Sequence, residues 1–130
     1  MNGRAVAKAK QKLTFPDRKI SETFLDFAEP LLDPLGPWAT LDQKETALQL
    51  AFTVWNAVVY KDAVDDSRFI ESIGNLTAND PVSAALVDEM VHRKRTLFGD
   101  DHRLVGEFKL SCQAGEWKLR AEARAPRPSS

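Results

Sequence analysis

Residues 91–103, Val-His-Arg-Lys-Arg-Thr-Leu-Phe-Gly-Asp-Asp-His-Arg, hold both histidines of the chain, His92 and His102, with Asp100 and Asp101 between them. Imidazole and carboxylate are the groups that ligate metals and move protons, so a metal centre and acid–base catalysis are the first readings to weigh. Zinc needs three or four ligands converging within about 2.0–2.3 Å of one point, and helical ligands stand one turn apart. Asp88 stands one turn before His92, but the positions one turn after it are Arg95 and Thr96. Arg93, Lys94, Arg95 and Arg103 surround the stretch and would repel a cation. We expect no metal site and no cofactor.

Other catalytic chemistry is equally thin. A nucleophile needs a base within hydrogen-bond reach and a third group to orient that base. The single thiol, Cys112, falls on the apolar face of an expected strand, where a cysteine serves as packing. No nucleophile elbow, phosphate-binding glycine loop or dinucleotide fingerprint occurs. Glu22, Asp26 and Glu29 read as a solvated helix face. Asp62, Asp65 and Asp66 lack the mid-loop glycine and closing glutamate of a calcium loop, and read as helix termination and capping. No catalytic residue is named, and the chain reads as a non-enzyme.

Nucleic acid is the stronger rival. Arg93, Lys94 and Arg95, with Arg4, Lys8, Lys10 and Lys12, form a candidate phosphate-contacting set. Such binding usually adds exposed rings for stacking. Trp55 and Trp117 read as core, which leaves Trp38 as the one candidate for an exposed ring, and packing over a helix end explains it equally well. The competing explanation of residues 91–103 is structural. Cations in a last helical turn meet its unsatisfied carbonyls, Gly99 supplies a left-handed residue that ends the helix, and Asp100 and Asp101 form the turn.

These side chains must be positioned by a small framework. A chain of 130 residues is about one domain's length, and 43% hydrophobic with 28% charged residues is the balance of a globular protein. The net charge of −1 conceals a gradient, +5 over residues 1–19, −8 over 20–80 and +2 over 81–130. The first residues lack the apolar stretch of a secretory signal, and one cysteine forms no internal disulfide, so a cytoplasmic protein without membrane contact is expected.

We read residues 1–14 as a flexible basic N-terminal arm, 15–124 as a single globular α+β domain and 125–130 as a disordered tail. A first helix starts near Asp17 and carries a stripe of Ile20, Phe24, Phe27, Leu31 and Leu35, with Pro30 predicting a kink or break near Glu29. Thr40 and Gln43 fit a capping box that opens a second helix over 41–60. From Ala47 to Val59 this helix is apolar on nearly every side, which predicts a central element buried all round, with Asn56 needing a partner. Asp65 or Asp66 caps a third helix that Gly74-Asn75 closes. Asp80-Pro81 opens a fourth, reaching about Phe98 with Val82, Ala85, Leu86, Met90 and Leu97 as its stripe.

An antiparallel hairpin over 104–112 and 116–124 closes the chain. Pairing Cys112 with Trp117 also pairs Leu110 with Leu119 and Phe108 with Ala121, placing both apolar sets on one face. That face needs a cover, supplied by the helices or by a second copy meeting a free ribbon edge. The functional expectation is a small protein–protein interaction or accessory module, with homodimerisation as one form of it. Weak RNA or DNA binding through the basic residues named above is the alternative, and an enzyme whose site the sequence does not spell out is the third.

Overall fold

The computed structural model describes residues 19–127. It is an α+β arrangement of α1 (Ile20–Leu32), α2 (Leu41–Val64), α3 (Arg68–Leu76) and α4 (Pro81–Leu97), followed by antiparallel strands β1 (Leu104–Gln113) and β2 (Glu116–Arg124). The expected basic arm, residues 1–14, and the last three residues of the expected tail lie outside the described residues.

The α1 stripe forms, with Ile20, Phe24, Phe27 and Leu31 all buried. The helix begins at Ile20, after an extended Lys19; Asp17, near the expected start, lies outside the described residues. It also does not break at Glu29, because it passes through Pro30 to Leu32 before a short 3-10 turn, Asp33–Leu35. The reason lies on another helix. Pro30 has no amide to offer the carbonyl of Asp26, and the Arg93 guanidinium donates to that carbonyl at 2.7 Å and to Phe27 O at 3.1 Å. A side chain 60-odd residues away thus repairs the gap the proline leaves.

In α2 the expected capping box is present, with Gln43 N donating to Thr40 Oγ1 at 3.1 Å and Thr40 N to Gln43 Oε1 at 2.9 Å. The helix runs a turn beyond Tyr60, to Val64, and so spans about 36 Å. Asp65 then ends it in the left-handed conformation, φ 55°. It is not enclosed on every side. Leu48, Ala51, Val54, Trp55 and Val58 are fully buried while Gln49 and Thr53 face water, because β1 and the other three helices together leave part of its circumference uncovered.

Two further expectations fail locally. Neither Asp65 nor Asp66 is the N-cap of α3; Ser67 is, and Asp66 instead accepts Arg68 N at 3.1 Å just inside. Gly74 and Asn75 stay helical, since Thr77 closes the turn through Thr77 Oγ1 to Ile73 O at 3.0 Å. On α4, Asp80 caps through Ser83 N at 3.2 Å as expected. Its buried line is Val87, Met90 and Lys94, leaving Val82 and Leu97 exposed.

The hairpin has the expected register, Cys112 with Trp117, Leu110 with Leu119 and Phe108 with Ala121. Ala114 and Gly115 both take positive φ, 53° and 82°, the signature of the tight turn whose twist matches that of the strands. A bulge between Val105 and Phe108 bends β1 over the helices. Phe108 lies between Phe24 of α1 and Phe52 of α2, at 5.7 and 5.6 Å between ring centres. Helices therefore roof the inner half of the apolar face, where Leu104, Val105 and Leu110 are buried. The outer half is bare. Cys112, expected as packing, is exposed, and Trp117 is 40% exposed.

Candidate interaction site

Residues 91–103 tie four elements together. Burial makes Lys94 the extreme case. Its side chain is 1% exposed, its Nζ donates to Phe98 O at 2.7 Å and Asp101 O at 2.8 Å, and it stands 4.4 Å over the centre of the Trp55 ring. Loss of hydration pushes the ammonium down to about 8, against an upward pull from Asp101 that is smaller. The Asp101 carboxylate is itself buried and receives Arg103 N, Nε and Nη2 at 3.1, 2.9 and 2.6 Å. That pairing raises the Arg103 guanidinium further above its already high range.

The remaining cations are also engaged. Arg95 grips Asp62 of α2 through Nε at 3.0 Å and Nη2 at 2.9 Å, and Arg93 holds the α1 carbonyls. Of the set read as phosphate-contacting, Lys94 is inside the core, Arg93 and Arg95 are turned onto the protein, and Arg4, Lys8, Lys10 and Lys12 lie outside the described residues. His92 and His102 are exposed and on different segments, with His92 Nε2 3.3 Å from Thr96 Oγ1. Among the described residues no three His, Cys, Asp or Glu side chains gather where one ion could be held.

Gly99 does not act as a left-handed cap, because its φ is not positive. It serves close approach instead. A Cβ there would stand 2.6 Å from Arg95 O, so only glycine lets the chain pass the end of α4 this tightly.

Two polar side chains of α2 fix the start of β1. Trp55 Nε1 donates to Arg103 O at 2.7 Å. Asn56 meets Val105 with both ends of its amide, Nδ2 to Val105 O and Val105 N to Oδ1, each 2.9 Å. Asn56 thereby stands where a neighbouring strand would pair.

Apolar side chains are exposed at Leu76, Val82 and Leu97, and also at the start of α2 and on the hairpin. Trp38, in the loop before α2, is 93% exposed, and Leu41 is 42% exposed. Lys44, one turn further along α2, places its Nζ 5.0 Å over the Trp117 ring. Beside these side chains, α2 and β1 enclose a groove of about 760 Å³ bordered by Asp42, Glu45, Phe52, Gly106, Glu107 and Phe108. The groove is open, and sets the carboxylates of Asp42, Glu45 and Glu107 beside the rings of Phe52 and Phe108.

Comparison with known proteins returns no match: no family model, no curated protein and no solved structure is significantly similar to the chain. Among the described residues no helix is long and apolar enough to cross a membrane.

Proposed function

We propose that the protein is a non-catalytic protein-interaction module that binds a partner through the aromatic end carrying Trp38, Leu41 and Trp117. One observation carries this reading, the Trp38 indole standing 93% in water while Trp55, of the same type, is wholly buried. Tryptophan is enriched among the few interface residues that dominate binding energy, and leaving one bare in the free protein costs the apolar surface its cover. Asp42 and Glu45 flank the patch, so the fitting partner offers an apolar anchor rimmed by basic side chains.

A reducing, cytoplasmic setting suits the exposed and unpaired Cys112. Self-association is a second form of the reading, supported by a two-stranded sheet that among the described residues has no further strand on either edge.

The test is capture from the source cell with the full chain, beside Trp38→Ala and Trp117→Ala. A partner held by the native chain and bound about thirtyfold or more weakly by Trp38→Ala supports the reading, since such anchors contribute at least about 2 kcal/mol. Equal capture by all three overturns it. Light scattering on the same samples reads self-association directly.

A further inference from the structure

The second strand of the hairpin carries an edge whose main-chain groups are unspent. With Ala114 and Gly115 as a two-residue turn, Gln113 and Glu116 exchange the hydrogen bonds next to it, and the alternation continues with Ser111 and Lys118 and with Lys109 and Arg120. The main-chain groups of Trp117, Leu119, Ala121 and Ala123 therefore point away from β1. The far end of the ribbon agrees, since Val105, opposite Ala123, turns its own N–H and C=O outward to Asn56. Among the described residues no strand lies beside β2 to receive this row.

The side chains of the same four residues lie on the apolar face, which is covered only in part. Trp117 is 40% exposed, Leu119 and Ala121 are half-buried and Ala123 is exposed. An open recess of about 500 Å³ runs beside Leu119 and Ala121, bordered also by Lys19 and Ser21 at the entry to α1. The other face of β2 carries Glu116, Lys118, Arg120, Glu122 and Arg124, all exposed. Among the described residues their one ion pair is Arg124 with Glu122, at 3.5 Å.

Set antiparallel to a copy of itself, this charge row is self-complementary in one register. Placing Leu119 opposite Ala121 also sets Lys118 against Glu122 and Glu116 against Arg124, each twice by the two-fold axis. Arg120 meets its own counterpart on the axis, the single like-charged contact. On the apolar face Trp117 meets Ala123, large against small. Sliding two residues one way sets Lys118 against Arg120 and Glu116 against Glu122, and sliding the other way sets Lys118 against Arg124. The β1 edge is the poorer one, because Asn56 already holds Val105 there and the groove along it is walled by Asp42, Glu45 and Glu107, charges that a second copy would duplicate.

We propose that two copies of the chain pair along β2, antiparallel about a two-fold axis between their Arg120 residues, into one four-stranded sheet. This rests on the self-association form of the reading above and gives it a surface and a register; it does not depend on Trp38. The pair carries its two Trp117 rings on opposite sides of the axis, so the interaction module becomes bivalent.

Sedimentation equilibrium of the full chain from about 5 to 500 µM tests it, a range suited to a small edge contact. The native chain is expected to dimerise. Lys118→Glu and Glu122→Lys each set like charges opposite one another twice and should weaken the dimer about tenfold or more. An equimolar mixture of the two variants re-forms both pairs between unlike chains and should return association to within about threefold of native. Both altered side chains are exposed, and near-ultraviolet dichroism of the buried Trp55 reports that each variant is folded. A native chain that stays monomeric, a dimer that neither variant weakens, or a mixture of folded variants that does not recover overturns the proposal. A dimer lost in Trp38→Ala and indifferent to Lys118→Glu assigns self-association to the aromatic end and overturns pairing along β2, whereas partner capture by the Trp38 variant tests the aromatic-end reading separately.

Discussion

Lys94 allows a sharp test of how the core is held. Replacing it with methionine keeps the length and most of the volume of the side chain and removes the ammonium. Two carbonyls, Phe98 O and Asp101 O, then lose their donor inside the protein. Each stranded acceptor costs about 1–3 kcal/mol, while the ammonium's own desolvation no longer has to be met. Near pH 7 we expect Lys94→Met to be destabilised by about 1–3 kcal/mol in urea titration, with the slope against urea unchanged.

The pH dependence separates the two opposing effects. The folded-state value of about 8 lies below the ordinary 10.5, so between those limits the unfolded chain binds more protons than the folded one. Stability contributed by this group must then rise with pH, the reverse of a lysine held by a salt bridge. Between pH 7.5 and 9.5 the linkage relation gives a gain of about 2 kcal/mol for the native chain. Other groups titrate over the same interval, so the quantity to read is the native chain minus Lys94→Met at each pH. That difference should widen in favour of the native chain by about 2 kcal/mol. A difference that stays flat or narrows would mean that the two carbonyls and the Trp55 ring favour the ammonium more than burial disfavours it, and the account of Lys94 would be wrong.

Three further tests, using four substitutions, follow from specific contacts and backbone geometry. Arg93→Ala should cost about 1–2 kcal/mol by leaving the Asp26 carbonyl opposite Pro30 without its donor, and Pro30→Ala, which supplies a helical amide, should remove about 1 kcal/mol of that cost in a double-mutant cycle. Asn56→Leu keeps the size of the side chain but strands Val105 N and O, so thermal unfolding should report a loss of about 2–4 kcal/mol, larger than for an exposed polar residue of α2 such as Gln49. Ala114→Asn places a residue tolerant of left-handed backbone before Gly115 and should raise stability by about 0.5–1 kcal/mol, read as an upward shift of Tm.

The contrast between what the sequence disclosed and what it concealed has a physical origin in range. The hairpin register, the Thr40–Gln43 box and the Asp80-Pro81 start are determined by neighbours within a few positions, so periodicity and turn chemistry report them directly. The errors share another cause. Pro30 predicts a break from its own chemistry, and only Arg93, brought alongside by the packing of α4 on α1, reverses that outcome. Gly99 predicts a left-handed residue, whereas its want of a side chain serves the approach to Arg95 O. Lys94 offered a signal that went unread: it falls one turn after Met90 on the line of Val87, so the buried stripe of α4 passes through a lysine rather than around it. A charge on an apolar line means that carbonyls wait for it inside, and here they belong to the helix end and the turn that lead into β1. The same logic bears on the candidate site. Arg93, Lys94, Arg95 and Arg103, the cations of the chemically richest stretch, spend their donors on internal carbonyls and carboxylates, whereas Trp38, which periodicity left without an assigned place, stands in water.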